Sequence, residues 1–324
     1  MQLAPLLFLA ALGGCVTAPV PLPAPVPAPI TAPAAAPAVA PLPAAASLTK
    51  QIYQMTPVEV DRYIRHIHQA EPDLRKRIAA IGRQNVGQPY KLNLLGEFPY
   101  QLHDTLPMFS LTESDCVVFA EHTYAMALSQ SWEEFFWMLQ RIRYKDGVVG
   151  VASRNHYTEV DWNINNNWLL TDISVDLAGT AGPSYALMVD RARFLKTRHQ
   201  TDSRLPVQTS REYFVPAERV DTVTAQLRDG DFVNVISTRK DEFWASHVGL
   251  VVIGADGQRN FLHSAEPQVR EESFDAFVAR ARAREQRSAV AGKPGQQLAG
   301  FKFLRLNDNI VVPPALPQPR PGAL

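Results

Sequence analysis

Between Ala18 and Ala46 the chain is mostly Pro, Ala and Val. Prolines hold φ near the polyproline value and remove backbone donors, so this stretch cannot close around a core. Whatever folds must lie outside residues 16–47, and the patterned sequence lies in 48–310. Two readings of the segment stand. One is a semi-rigid spacer rising about 3 Å per residue, on the order of 90 Å over roughly thirty residues; the other is a disordered linker with no set reach. Residues 311–324 are also Pro-rich and are expected to be loose.

Upstream, the apolar run from Leu3 to Leu12 is too short to span a bilayer and reads as the hydrophobic core of an export signal over residues 1–15. Met1-Gln2 supplies no preceding cation. The leader ends in Leu12-Gly13-Gly14-Cys15, a lipobox-like sequence that makes Cys15 the expected lipidation site. Val16 stands where a retention signal would show Asp. The expectation is a periplasmic domain anchored to the inner leaflet of the outer membrane. The chain has only one other cysteine, Cys116. With Cys15 acylated, Cys116 has no disulfide partner, and an unpaired thiol in an oxidising compartment is either buried and inert or retained for chemistry. Lys plus Arg and Asp plus Glu are equal at 32 each. That balance gives no electrostatic footprint for nucleic acid and no basic coat for an anionic bilayer.

The folded part begins with helix signals. Thr56-Pro57-Val58-Glu59 is a capping box with proline in the first turn, predicting a helix over 57–69, and a second follows over 73–83. Asp115 can cap a helix starting at Cys116, and Ser131 one running through Arg141. From Val160 the pattern turns to short strands, with no clear period between Tyr185 and Pro216. Phe232 to Ile236, His247 to Ile253, Asn260 to Ala265 and Phe301 to Leu306 read as strands, and Ser273 starts a late helix. Helices followed by an antiparallel sheet define an α+β fold.

A thiol in the first turn of a helix meets unpaired N–H groups and the positive end of the helix dipole, which predicts an easily formed thiolate at Cys116. Its own N–H can supply half of an oxyanion hole. The nucleophile needs a base, and His247 and His263 stand out among eight histidines. A hairpin turn at Gly254 to Gly257 centres near residue 255, which puts His247 opposite His263, about 5 Å apart at Cβ. A one-residue slip would send the rings to opposite faces. On this reading His247 accepts the thiol proton and His263 fixes its tautomer.

Asp115-Cys116-Val117-Val118-Phe119-Ala120-Glu121, His247-Val248-Gly249-Leu250-Val251 and Phe261-Leu262-His263-Ser264-Ala265 resemble the motifs of NlpC-type papain-like cell-wall cysteine peptidases. Ile142 to Gly147, Ser153 to Tyr157 and Asp161-Trp162 resemble the N-acetylmuramoyl-L-alanine amidase-like branch of that superfamily. The likeness spans about Thr56 to Leu306. It implies a papain-like core with the cysteine helix packed on a sheet carrying both histidines. It implies a peptidoglycan or muropeptide amide as substrate, a thioester intermediate and no cofactor. It also implies that Tyr90 sits beside the nucleophile, to hold the oxyanion or the substrate.

Other readings remain open. Asn155, His156 and Tyr157 either line the substrate groove or form a well-paired polar corner. A thiolate and two imidazoles are also zinc ligands, although the absence of a second cysteine motif or a carboxylate favours the nucleophile. The amide could lie further along the stem, between γ-D-Glu and diaminopimelate. Alternatively, the protein could be a lipoprotein that binds cell wall without cutting it.

Overall fold

The computed structural model describes residues 50–102, 104–179, 182–293 and 295–322. The leader, Cys15 and the Pro/Ala-rich segment lie outside them. Four helices come first: α1 (Pro57–Ala70), α2 (Leu74–Arg83), α3 (Cys116–Ala127) and α4 (Trp132–Arg143). Each begins where a side chain takes up a free backbone N–H. Thr56 and Glu59 close the expected capping box. Asp73 accepts from Arg75 and Lys76, and Asp115 from Val118. Ser131 accepts from Glu134, while the Glu134 carboxylate turns to the Gln130 N–H.

The sheet is antiparallel, in the order β1 (Leu170–Asp172), β9 (Gln297–Leu306), β5 (Phe232–Arg239), β6 (Glu242–Ile253), β7 (Arg259–Ala265), β8 (Gln268–Ser273), with β4 (Val215–Pro216) beside β9. Helices cover both faces. Val248, Leu250, Val252 and Leu262 pack with α1 to α4. Val233, Val235, Val251 and Phe261 pack with Phe274 and Phe277 of a late helix, capped by Ser273 and running Phe274–Val290. This double cover explains why the central strand reads as the near-continuous run Phe232-Val233-Asn234-Val235-Ile236 instead of alternating with polar residues.

Three segments differ from the sequence expectation. β6 starts at Glu242, well before His247, because a bulge near Val235 and Ile236 lets Ser246 pass unpaired and the ladder continue. From Thr158 to Asn165 the chain coils as a π-turn and a short helix, not a strand, burying Trp162 against Phe232 at 4.3 Å. The unassigned stretch holds a separate hairpin, β2 (Ser184–Val189) with β3 (Gln208–Tyr213), around helix Arg191–His199. Nor is the Pro-rich tail loose. Arg141 donates to the Pro313 carbonyl, Leu316 N–H to Asp146, and Gln318 bonds both Gly147 and Val149. Proline cannot donate, but its carbonyls accept, so an extended tail can be strapped along a neighbour.

Candidate active site

The β6–β7 ladder pairs Leu250 with Leu262 and Val251 with Phe261. This register is offset by two residues from the expected one, since the tight turn spans Gly254 to Gln258. His263 therefore faces Gly249 and lies diagonal to His247. An even offset preserves the face, so both rings still project to the same side, toward the Phe274–Val290 helix. A Cβ on Gly249 would fall 2.7 Å from that of His263 and 2.6 Å from the Phe261 ring. The missing side chain thus makes room for the diagonal contact. His247 Nε2 lies 2.8 Å from His263 Nδ1.

His263 is fully buried, and its Nε2 lies 2.7 Å from the Glu272 carboxylate on β8. Burial pushes the Glu272 carboxyl up, but His263 and Arg280 outweigh it and hold the group at about 2. Arg270 also donates to this carboxylate. An ionised carboxylate only accepts, so His263 must carry its proton on Nε2 and present a lone pair at Nδ1. His247 must then donate from Nε2, which leaves its Nδ1 as the free lone pair. Burial, reinforced by His263, Arg270, Arg280 and Arg284, holds His247 well below its ordinary pKa, so the ring is neutral. With both His263 nitrogens engaged, the zinc alternative loses one of its three ligands.

Cys116 stands at the first turn of α3, half-buried. It packs on the helix side of the sheet with Val248 and Leu250, whereas the imidazoles face the Phe274–Val290 helix. The Val248 N–H, one residue past His247, points at the sulfur. Ser264, one residue past His263, bonds the Ser114 carbonyl at 3.0 Å. Among the described hydrogen bonds none joins the sulfur to an imidazole.

The thiol differs from the helix-terminus expectation, being pushed up to about 12. Burial is the main cause, and Asp115 adds to it, outweighing N–H groups of Val248, Val117 and Cys116 itself. The helix end that should favour a thiolate is already occupied by its capping carboxylate.

Tyr90 is fixed by its N–H to Pro267 and by a bridge to Ser114. Its hydroxyl is pushed up to about 12, by burial first and then by the charges of Cys116, Asp115 and Glu266. It also lines a cavity of about 270 Å³ with His247 and His263. Asn155 and His156 border a different cavity of about 600 Å³, which reaches α3 at Asp115, Val117 and Val118. Their polar atoms are largely committed: Asn155 to Ile142 and Asn165, His156 Nε2 to Val151. The Tyr157 ring packs on Phe194 at 5.2 Å. Arg143 and Trp162 both bond the buried Glu121 of α3.

A family model described as N-acetylmuramoyl-L-alanine amidase-like matches residues 80–282. No curated protein matches the chain. Among solved structures, a Legionella pneumophila protein from a domain-of-unknown-function family aligns with TM-score 0.60 at 19% identity, covering 80% of this chain and 97% of that one. An N-acetylmuramoyl-L-alanine amidase from Bacteroides uniformis aligns with TM-score 0.54 at 19% identity, covering 72% and 99%. A putative xylanase from Bacteroides fragilis aligns with TM-score 0.50 at 22% identity, covering 69% and 99%. At these identities the structural likeness speaks to fold alone.

Proposed function

The chain belongs to the N-acetylmuramoyl-L-alanine amidase-like family, and from that premise we propose that it is a cysteine-dependent amidase of papain-like type that cuts the bond between muramic acid and L-alanine. The observation that carries this reading is the chain from Glu272 through His263 to His247, which leaves the lone pair of His247 Nδ1 free to accept a proton. Cys116 attacks the amide carbon as its proton passes to that nitrogen. The proton then goes to the departing amine, a thioester forms, and water, deprotonated by the same nitrogen, hydrolyses it. Sulfur and ring must close the remaining gap as substrate binds, since catalytic hydrogen bonds often tighten only in the complex. On this reading the Cys116 N–H and the Tyr90 hydroxyl receive the oxyanion.

Anchoring at Cys15, with the domain in the periplasm, belongs to the same proposal and rests on the leader sequence. The test is digestion of defined muropeptides read by mass spectrometry. Cys116→Ala should lose activity by about 10⁶-fold while keeping the parent melting temperature. Undiminished cleavage by that variant overturns the mechanism. Cleavage after γ-D-Glu would move the reading to an endopeptidase, and a wild-type protein that binds but never cuts would make it a wall-binding lipoprotein.

A further inference from the structure

Attack by sulfur on an amide divides the substrate into two fragments. The acyl fragment stays on the sulfur, while the amine departs with the proton delivered by the imidazole, so the departing fragment must lie on the imidazole side. The two cavities at the site fit this asymmetry. The larger borders Asp115, Val117 and Val118 but neither histidine of the relay. The smaller is walled by His247 and His263, with Tyr90 and Glu266 at one part and Arg280 and Arg284 from the last helix at another.

The arginines of the smaller cavity are not equivalent. Arg270 and Arg280 both donate to Glu272, so both guanidiniums are already engaged. Arg284, one helical turn beyond Arg280, has no hydrogen bond or ion pair among the described residues, yet it lines the cavity and its charge reaches His247. Glu266 shares the cavity wall with Tyr90, whose N–H bonds the carbonyl of the adjoining Pro267. The cavity therefore carries both a carboxylate, Glu266, and an unpaired guanidinium, Arg284, on its wall. A departing peptide has matching polarity if it carries its new ammonium at the cut end and a free carboxylate further along.

Resting on the amidase reading, we propose that this cavity is the subsite for the departing peptide and that Arg284 binds a free carboxylate on it, selecting amides whose leaving peptide is acidic. A guanidinium pairs with a carboxylate through two parallel N–H donors, a geometry that a neutral carboxamide cannot match.

The experiment uses full-length Cys116→Ala protein, so that ligand is held without turnover. The probes are the dipeptide L-Ala-γ-D-Glu and the same dipeptide with its α-carboxylate converted to the amide, titrated by calorimetry. The parent should prefer the acid form. Adding Arg284→Ala should weaken the acid form on the order of 10- to 100-fold and leave the amide form and the melting temperature unchanged; Arg284→Lys should recover part of the loss. A parent that binds both forms alike, or an Arg284→Ala effect equal on both, overturns the subsite. Because binding is read without turnover, those results leave the amidase reading standing, whereas full activity of Cys116→Ala overturns that reading alone.

Discussion

Removing the Glu272 side chain tests whether the relay orients the base. Glu272→Ala deletes a charge-assisted hydrogen bond to His263 Nε2, an interaction whose loss costs about 1.5–3 kcal/mol. The same change leaves Arg270 and Arg280 without their shared counter-charge, which depresses the basicity of His247 further. With roughly 1.4 kcal/mol per decade, kcat should fall about 10- to 150-fold. Glu272→Gln separates charge from orientation. Its amide oxygen can occupy the position where His263 and Arg270 donate, which preserves the tautomer and removes only the charge. The expected loss is about tenfold or less. Single-turnover cleavage of a defined muropeptide reads the chemical step, and thermal unfolding checks that the fold is intact. A Glu272→Ala enzyme within about threefold of wild type, with an unchanged melting curve, would refute the assignment of the relay.

Two further substitutions address the pieces around the relay. Asp115→Asn keeps a good helix cap but removes the charge that opposes the thiolate, so alkylation of Cys116 by iodoacetamide should accelerate at pH 8; an unchanged rate-versus-pH curve contradicts this. Gly249→Ala drives a methyl against the His263 Cβ and the Leu262 carbonyl, both 2.7 Å away. It should destabilise by about 1–3 kcal/mol and lower kcat by parting the rings, read from denaturant unfolding and from turnover.

What could be read from the sequence was what depends on neighbours a few residues apart. Thr56-Pro57, Asp115 and Ser273 mark helix starts because caps act through local backbone N–H groups. The face shared by His247 and His263 was legible because only the parity of the register matters, and a two-residue error in the turn leaves parity intact. Glu272 was missed because β8, Gln268 to Ser273, is nearly all polar and shows no alternation with which to recognise a strand. The signal available was the tight connection at Glu266-Pro267, which folds the chain back so that Arg270 faces His263 and Glu272 takes the next position on the same face. The hairpin around Arg191–His199 depends on pairing between segments far apart in the chain, for which no local pattern speaks. The thiol was misjudged because its burial, the main cause of the rise, comes from distant parts of the chain, and because the dipole of α3 was counted but the capping charge of Asp115 was not.

Burial of both groups also sets the pH behaviour of the proposed reaction. Some cysteine enzymes rest as a thiolate beside an imidazolium, a state that needs a depressed thiol pKa. Here the shifts run the other way: the thiol is raised to about 12 and His247 is lowered well beneath 6.5. Near neutrality both groups are uncharged, which avoids the cost of burying unpaired charge. A lowered imidazole loses its base function only as pH falls through its depressed pKa, so the acid limb of kcat/KM should lie below pH 6.5. A raised thiol gains no charge as pH climbs through 7 to 9, so no rise in rate should accompany that interval. Between about pH 6.5 and 9 the profile of kcat/KM should therefore be flat, with the proton leaving sulfur only as the bond to carbon forms. An inflection inside that window that disappears in His247→Ala or Cys116→Ser would mean that one partner is already charged at rest, and the neutral pair would have to be abandoned.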